Sequence, residues 1–137
     1  MALNNFGPDS AVLTINGRLI EDFGETASPY SDAPIDTKVT LRRGQGGRAV
    51  RLNRKNPGRT VNIYLNPGSQ DSAYVQGLFN SNADITLSWT QIGTFEAAIG
   101  TEGVITNDAA MNRAGTTISD DQFTMEFNSW NATKGQL

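Results

Sequence analysis

Apolar residues of this 137-residue chain mostly recur at every second position, in short runs. Such alternation places successive side chains on opposite faces of an extended strand, which is the pattern of a sheet with one buried face. The alternating residues are Leu13 and Ile15; Val39 and Leu41; Val50 and Leu52; Val61, Ile63 and Leu65; Ile85, Leu87 and Trp89; Phe95, Ala97 and Ile99; and Phe123, Met125 and Phe127. The sequence therefore predicts a mainly β protein of about six or seven antiparallel strands.

One segment, residues 69–80, follows a different period. Ser69 is a favourable N-cap, and Asp71 in the first turn complements the positive end of the helix dipole. The apolar residues of the segment are spaced as on one face of a helix, and they are Tyr74, Val75, Leu78 and Phe79. We predict one α-helix here, closing one side of a small β-barrel or β-sandwich.

The composition excludes most kinds of catalytic site. The chain contains no cysteine and no histidine, so it lacks thiolate nucleophiles, cysteine zinc sites and the commonest general base. The adjacent acids Glu21 and Asp22, like Asp120 and Asp121, point to opposite faces of an extended chain and do not converge on one substrate. We therefore expect a protein that is not an enzyme and that binds no cofactor and no metal ion.

The length and the termini indicate a simple organisation. Residues 1–137 contain no internal repeat, and their number suits one domain. Met1 to Ser10 has neither the basic flank nor the apolar run of a secretory signal, and no later stretch is apolar enough to span a membrane. We expect a single domain that is made in the cytoplasm and does not insert into membranes.

Charge is distributed very unevenly along the chain. Residues 38–59 hold eight of the eleven basic side chains and no acidic one. The remainder carries fourteen acids against three bases, a net charge of −11, and the whole chain has a net charge of −3. A subunit whose basic segment contacts the acidic body of an identical copy gains orientation and register from this separation.

The basic segment itself predicts a long β-hairpin over residues 37–54. Val39 and Leu41 alternate with polar and basic residues, Val50 and Leu52 do the same, and the break between the two runs is Gly44-Gln45-Gly46-Gly47. The alternation places Lys38, Thr40 and Arg42 together, so we predict a glycine-rich tip and a basic outer face.

Two interpretations of this hairpin remain open. It is either an ordinary solvated face or an arm that contacts a neighbouring subunit, with the tip adapting to that neighbour. In the second case Arg42, Arg43, Arg48 and Arg51 pair with carboxylates of the neighbour, because guanidinium groups bind carboxylates in a bidentate manner.

Several stretches together resemble the tail tube proteins of tailed bacteriophages, particularly those with contractile tails. These stretches are Ile15-Asn16-Gly17-Arg18-Leu19-Ile20, Phe23-Gly24, the charged hairpin through Arg43 and Arg54, Val61 to Leu65, Pro67-Gly68-Ser69-Gln70-Asp71, and Phe123-Thr124-Met125-Glu126-Phe127. The resemblance covers most of the chain and consists of pattern, without a catalytic signature.

The resemblance implies a structural protein of the virion with a tail-tube-like domain over residues 1–137. In that family six copies form a ring, rings stack into a hollow tube, and DNA passes through the bore during ejection. The implied partners are further copies of the chain and the tail sheath, tape-measure and tail completion proteins, after assembly in the host cytoplasm. The resemblance also suggests that the long connection Gly24 to Asp36 bridges stacked rings, with Ser28, Pro29 and Tyr30 as candidate contacts.

A tube that conducts DNA must not bind it, since each Lys or Arg that neutralises a phosphate releases a counterion and adds affinity. Two stretches after the predicted helix present hydroxyl and acidic side chains without any base, and we predict that they line the lumen. Their candidate residues are Asp84, Thr86 and Ser88, followed by Thr94 and Glu96.

An alternative function uses the same hairpin. Arg42-Arg43-Gly44-Gln45-Gly46-Gly47-Arg48 resembles an arginine- and glycine-rich segment that tracks a phosphate backbone, which would make the protein a nucleic-acid-binding β-barrel. Against this alternative, the isoelectric point is about 4.8 and no aromatic residue lies within the basic segment to stack on bases.

Overall fold

The structure is a computed structural model that describes residues 11–92 and 96–134. These residues form nine strands and one α-helix, which confirms the mainly β fold with a single helix. The strands are β1 Ala11–Ile15, β2 Arg18–Ile20, β3 Tyr30–Pro34, β4 Val39–Arg43, β5 Ala49–Asn53, β6 Arg59–Leu65, β7 Ile85–Gln91, β8 Glu96–Ala110 and β9 Asp121–Thr133, and the helix is α1 Gln70–Asn80.

Seven of the strands form one antiparallel sheet in the order β2-β1-β7-β8-β9-β6-β3, and β4 and β5 form a separate two-stranded ribbon. The main sheet is not closed into a barrel. Phe23, just after the edge strand β2, makes an isolated antiparallel bridge with Leu65 of β6. This single bridge connects the chain after β2, at one edge of the sheet, to β6, which lies next to the other edge strand β3. The two sides are joined by this bridge and not by a continuous ladder of hydrogen bonds.

The core follows the alternation of the sequence. Alternate residues are buried from Val61 to Leu65 in β6 and from Asp121 to Phe127 in β9, at Leu13 and Ile15 in β1, and at Ile85 and Leu87 in β7. The helix α1 contributes Val75. The buried apolar side chains are Leu13, Ile15, Ile20, Val61, Ile63, Leu65, Val75, Ile85, Leu87, Ile105, Phe123, Met125 and Phe127. Burial of these side chains is the main driving force for folding of the domain.

Two segments differ from the sequence-based predictions. The connection Gly24 to Asp36 contains strand β3, which occupies an edge of the sheet beside β6. Its alternation is hidden because an edge strand buries little, and because Pro34 ends it. In addition, β8 extends to Ala110, well beyond the alternating run that ends at Ile99.

The first hairpin turns at Asn16-Gly17, a dipeptide that favours a type I′ turn. Asn16 and Gly17 both adopt positive φ, 50° and 86°, as a type I′ turn between β1 and β2 requires. The Asn16 side chain also accepts a hydrogen bond from the Thr86 N–H at 2.7 Å and donates one to the Asp84 carbonyl at 3.0 Å. The turn is thereby attached to the start of β7.

The N-terminus of α1 is the best-connected polar site of the body. Ser69 caps the helix by accepting a hydrogen bond from the Ser72 N–H at 3.1 Å. The Asp71 carboxylate, which is buried, accepts hydrogen bonds from the backbone N–H groups of Glu21 and Asp22 and from Arg18 Nε, at 2.9, 3.0 and 3.1 Å. Asp71 therefore attaches the helix to the end of β2.

These contacts change the acidity of Asp71. Burial alone would raise the pKa of this carboxyl, but the hydrogen bonds from the backbone amides and Arg18 outweigh burial, and the pKa of Asp71 lies below its usual value. The stabilisation from a lowered carboxyl pKa is fully present above the unfolded-state pKa of about 3.9, and it is lost as pH falls through the folded-state value.

We expect Asp71→Asn to lower the free energy of unfolding at pH 7 by about 1–3 kcal/mol, because the amide cannot accept three charge-assisted hydrogen bonds. The difference from wild type should narrow below about pH 4. Urea unfolding followed by circular dichroism at several pH values measures both effects. Asp84→Asn is the control, since this exposed carboxylate has no side-chain partner among the described residues; equal losses in the two variants would contradict the role of Asp71.

Candidate functional site

The ribbon of β4 and β5 stands apart from the body. The two strands pair only with each other, and all ten of their residues are exposed. At the tip, Gly44 N–H donates to the Arg48 carbonyl at 2.8 Å, which closes a three-residue loop with Gly47 at φ 86°. We call residues 38–54 the arm.

The arm continues the ribbon that β3 and β6 form at the sheet edge. Hydrogen bonds from Ile35 N–H to the Gly58 carbonyl and from Asp36 N–H to the Pro57 carbonyl extend that ribbon towards the arm, where Arg54 N–H donates to the Lys38 carbonyl at 2.8 Å. The arm is therefore held at its base by two connecting segments. Strands of this length project it by about 20 Å.

A one-residue offset separates the two ribbons. Pro34 is paired with Arg59, whereas Val39 is paired with Asn53. The segment that leads into the arm, from Pro34 to Val39, therefore advances by five residues, whereas the segment that leads out of it, from Asn53 to Arg59, advances by six. This extra residue has the effect of a β-bulge, because it changes which side chains share a face beyond it.

The offset determines the composition of the two arm faces. Residues directly opposite each other in an antiparallel pair point to the same side. Leu41 lies opposite Arg51, whereas Leu52 lies opposite Thr40. The first face consists of Val39, Leu41, Arg43, Ala49, Arg51 and Asn53, and the second face consists of Thr40, Arg42, Val50 and Leu52.

The prediction of one basic outer face is therefore wrong. It assumed that the apolar residues of both strands point the same way, and the observed register places those of β4 and β5 on opposite faces. Each face carries arginine together with two large aliphatic side chains. The exposed fractions are 43% for Val39, 61% for Leu41, 55% for Val50 and 51% for Leu52.

Four arginines of the arm have no side-chain partner in the described part of the chain. Within residues 11–92 and 96–134, no side-chain hydrogen bond or ion pair involves Arg42, Arg43, Arg48 or Arg51. These four are the arginines that the sequence analysis selected as contacts. The structure brings Arg42, Arg43 and Arg51 onto the two strands and Arg48 to the tip, with Gly44, Gln45, Gly46 and Gly47.

The base of the arm, by contrast, is firmly paired. Arg59 donates through Nε to the Asp32 carboxylate at 2.9 Å and lies over the ring of Trp130, 5.7 Å from its centroid. Tyr30 donates to the same carboxylate at 2.9 Å and stacks on Trp89 with 5.4 Å between ring centroids. Burial, followed by the charge and hydrogen bond of Asp32, raises the pKa of Tyr30, so the phenol keeps the proton that it donates.

The candidate contacts of the connecting loop occupy different environments. Ser28 is exposed, the Pro29 carbonyl accepts a hydrogen bond from Tyr64 N–H at 2.9 Å, and Tyr30 packs against the core. Asp120 accepts hydrogen bonds from the N–H groups of Glu25 and Thr26 at 3.4 and 3.3 Å. The loop is attached to the body at both ends, and of the three candidates Ser28 is the most accessible.

The two predicted lumen stretches do not share a face. Asp84 is exposed before β7, and Thr86 and Ser88 lie on the outer face of that strand, with Ser88 opposite Ile99. Glu96 lies opposite the buried Gln91, on the same side as the core. Thr94 lies outside the described residues.

The outer face of the sheet instead contains neutral rows that the alternation alone did not reveal. Cross-strand pairing aligns Leu19, Thr14, Ser88, Ile99 and Asn131 in one row and Val12, Thr90, Ala97 and Thr133 in the next. None of these side chains carries a charge. Only the register between β1, β7, β8 and β9 identifies this surface, because the residues come from distant parts of the sequence.

The described residues include neither a cluster of metal-binding side chains nor a membrane-spanning helix. Residues 11–92 and 96–134 contain no group of three or more acidic side chains that could hold a metal ion. In the same part of the chain, α1 is too short and too polar to cross a membrane.

The fold is similar to that of solved structures from contractile injection systems. A chain of the anti-feeding prophage cap, which terminates the tube of that particle, has a TM-score of 0.58 and 14% identity over 98% of this chain and 95% of that chain. The sheath/tube terminator of the extracellular contractile injection system PVC, in its extended state, has a TM-score of 0.56 and 13% identity over 97% of this chain and 99% of that chain.

A chain of the PVC sheath–tube complex, also in its extended state, has a TM-score of 0.54 and 14% identity over 95% of this chain and 92% of that chain. No protein-family profile matches the sequence, and no curated protein matches it. At this level of identity the three comparisons establish a shared fold across nearly the whole chain.

We expect Asp32→Ala to lower the free energy of unfolding by about 1–3 kcal/mol, because it leaves Arg59 and the Tyr30 hydroxyl without their shared acceptor. Thermal and urea unfolding of the purified variant measure the loss. Asp36→Ala is the matched control, since its ion pair with Arg54 is 3.8 Å long and half exposed and should contribute less than about 1 kcal/mol. A larger loss in the control would contradict this assignment of the arm base.

Proposed function

We propose that this protein is a structural subunit of a phage-tail-like tube, in which copies form hexameric rings that stack into a hollow conduit for DNA. The observation that carries the proposal is the arm: a projecting ribbon with unpaired arginines and exposed aliphatic side chains on both faces, joined to an acidic body. Exposed apolar surface of this kind marks a contact surface. The similarity in fold to chains of contractile injection systems supports the same proposal.

The body offers acceptors for the arm of another copy. Four carboxylates on the described residues are exposed and have no side-chain partner there, namely Glu21, Glu25, Asp84 and Glu126. An arginine of the arm gains a charge-assisted, bidentate partner at such a site. Because each chain carries both a basic arm and an acidic body, copies can add head to tail in the same orientation. Ring stacking requires such an arrangement.

The outer face of the sheet suits the lumen of such a tube. Its two neutral rows present hydroxyl, amide and aliphatic side chains and no base. A polyanion that passes such a surface gains no counterion release and does not adhere. Within this proposal Thr86 and Ser88 belong to the lumen face, whereas Glu96 does not.

A tube terminator is the second candidate function. Of the three similar structures, one is a terminating cap and one is a sheath/tube terminator. A terminator joins the tube at one end only, so purified protein would stop at single rings, whereas a tube subunit adds ring upon ring. Electron micrographs of the concentrated protein distinguish a terminator from a tube subunit. The presence of a basic arm and an acidic body on one chain favours long tubes.

A nucleic-acid-binding role accounts for the arm less well. Each face exposes aliphatic side chains, which are unfavourable beside a phosphate backbone, and residues 38–54 include no aromatic side chain for base stacking. The arm therefore fits a protein surface better than a nucleic acid.

We expect Arg42→Glu combined with Arg43→Glu to prevent long tubes while leaving the monomer folded, because the arm then repels the acidic body. Circular dichroism reports the fold, and negative-stain micrographs report the tubes. Arg42→Lys with Arg43→Lys is the matched control, since it keeps the charge and should still assemble. Normal tubes from the charge-reversed variant would overturn the role of the arm in stacking.

Salt separates the tube from the nucleic-acid alternative. We expect tubes to persist between about 50 and 200 mM salt, because their contacts include apolar surface, while the protein fails to shift labelled DNA even at the lower concentration. Sedimentation of assembled protein and fluorescence anisotropy of a labelled oligonucleotide measure the two quantities. Tight DNA binding that falls steeply over this range would support the alternative instead.

A further inference from the structure

The two faces of the arm have the same chemical character, which is unusual for a ribbon that lies on a surface. A ribbon on one surface buries one face and leaves the other in water, so its apolar residues gather on a single face. Here Val39 and Leu41 occupy the first face, whereas Val50 and Leu52 occupy the second. All four are more than two-fifths exposed.

The cations are divided in the same way. Arg43 and Arg51 belong to the first face and Arg42 belongs to the second. None of the three has a side-chain partner in the described part of its own chain. Each face is thus an aliphatic patch with arginine beside it, and each is complementary to a surface that is partly apolar and partly acidic.

We propose that the arm is seated between two further copies of the chain, with each face against a different copy. This inference rests on the proposed function, since it names the partners of the arm in the assembly. The net charge of −11 outside residues 38–59 makes the body of another copy the occupant that best matches the arginines. Seating between two copies also ties neighbours within a ring to each other.

One surface of a single copy can cover only one face of the arm. Each face carries two aliphatic side chains that are more than two-fifths exposed. A seam between two copies can cover both faces.

The tip sequence offers a competing arrangement that the test must exclude. A two-residue turn at Gly46-Gly47 is a favoured hairpin turn, and it would shift the register of the arm by one residue. Leu41 would then lie opposite Leu52, and all four aliphatic side chains would share one face, as in an arm that docks on one surface. In that register Thr40 would lie opposite Asn53, whereas the observed register places these two residues on opposite faces.

One double variant, Thr40→Cys with Asn53→Cys, distinguishes the arrangements. The chain has no cysteine of its own, so both thiols can be labelled selectively with a benzophenone maleimide. A trace of labelled protein is assembled with excess wild type, irradiated and analysed by denaturing electrophoresis. Seating between two copies predicts products of three linked chains, and labels at only one of the two positions should yield two linked chains.

The unlabelled double variant tests the register. In the observed register the two thiols face apart, so mild oxidation of assembled tubes should leave the chain free of an internal disulfide. Rapid formation of that disulfide would overturn the proposal in favour of the shifted register and docking on one surface. Doubly labelled protein that yields only two linked chains would overturn it as well.

Single substitutions give an independent reading of each face. Leu41→Asn on the first face and Leu52→Asn on the second should each raise the protein concentration needed for tube formation by about tenfold or more, because each removes a buried leucine contact. Unchanged thermal unfolding of the monomer is the control for the body. Normal assembly of either variant would overturn the seating between two copies, whereas wild-type protein that stays monomeric at every concentration would overturn the proposed function itself.

Discussion

A ribbon two strands wide has no interior, and this constraint governs the arm. Every side chain of β4 and β5 must face water or another molecule, because no third element lies over either side. The aliphatic side chains on the two faces therefore remain in water in the isolated chain, where each exposed methylene forgoes transfer free energy. A second molecule that covers the arm would remove these aliphatic side chains from water and recover that free energy.

The body is organised in the opposite way. The inner face of its sheet carries the buried core, and the polar groups beside that core are satisfied by specific donors. Asp71 collects backbone amides and Arg18 at the start of α1, while Asp32 collects Arg59 and Tyr30 beside Trp89. The contacts of Asp32 lie at the base of the arm, whereas Arg42, Arg43, Arg48 and Arg51 beyond that base have no side-chain partner in the described residues. Charge inside the body thus serves the fold, and charge on the arm is available for another copy.

Much of the fold could be predicted from the sequence because the alternation is strong wherever one face is buried. The runs at Val61 to Leu65 and Phe123 to Phe127 are buried as expected, the helix begins at the residue after Ser69, and Asn16-Gly17 makes the first turn. The edge strand β3 was missed because half-buried edges lack alternation and because prolines are tolerated there. Alternation of apolar residues in the sequence thus indicates which strands have one buried face, and it does not indicate which segments pair in the sheet.

The site was less predictable for a related reason. The sequence identifies the basic residues of the hairpin and its glycine-rich tip, but their distribution over the faces depends on the pairing register. The extra residue between Asn53 and Arg59 sets that register, and nothing in a pattern of alternating residues specifies on which strand it falls. The lumen candidates were affected likewise, since Ser88 and Glu96 look equivalent in sequence yet lie on opposite sides of the sheet.

Under the proposed function, the separation of charge meets a requirement of any conduit for a polyanion. Bases on the bore would hold DNA through its phosphates, so a tube that needs cations for assembly has to keep them away from the lumen. Concentrating eight of the eleven bases in one projecting segment and the adjoining strand start achieves this, because that segment is removed from the sheet face that carries the neutral rows. Seated between copies, the same guanidinium groups would be paired with carboxylates and screened from anything that moves through the bore. Assembly and transport then place no conflicting demand on the same surface.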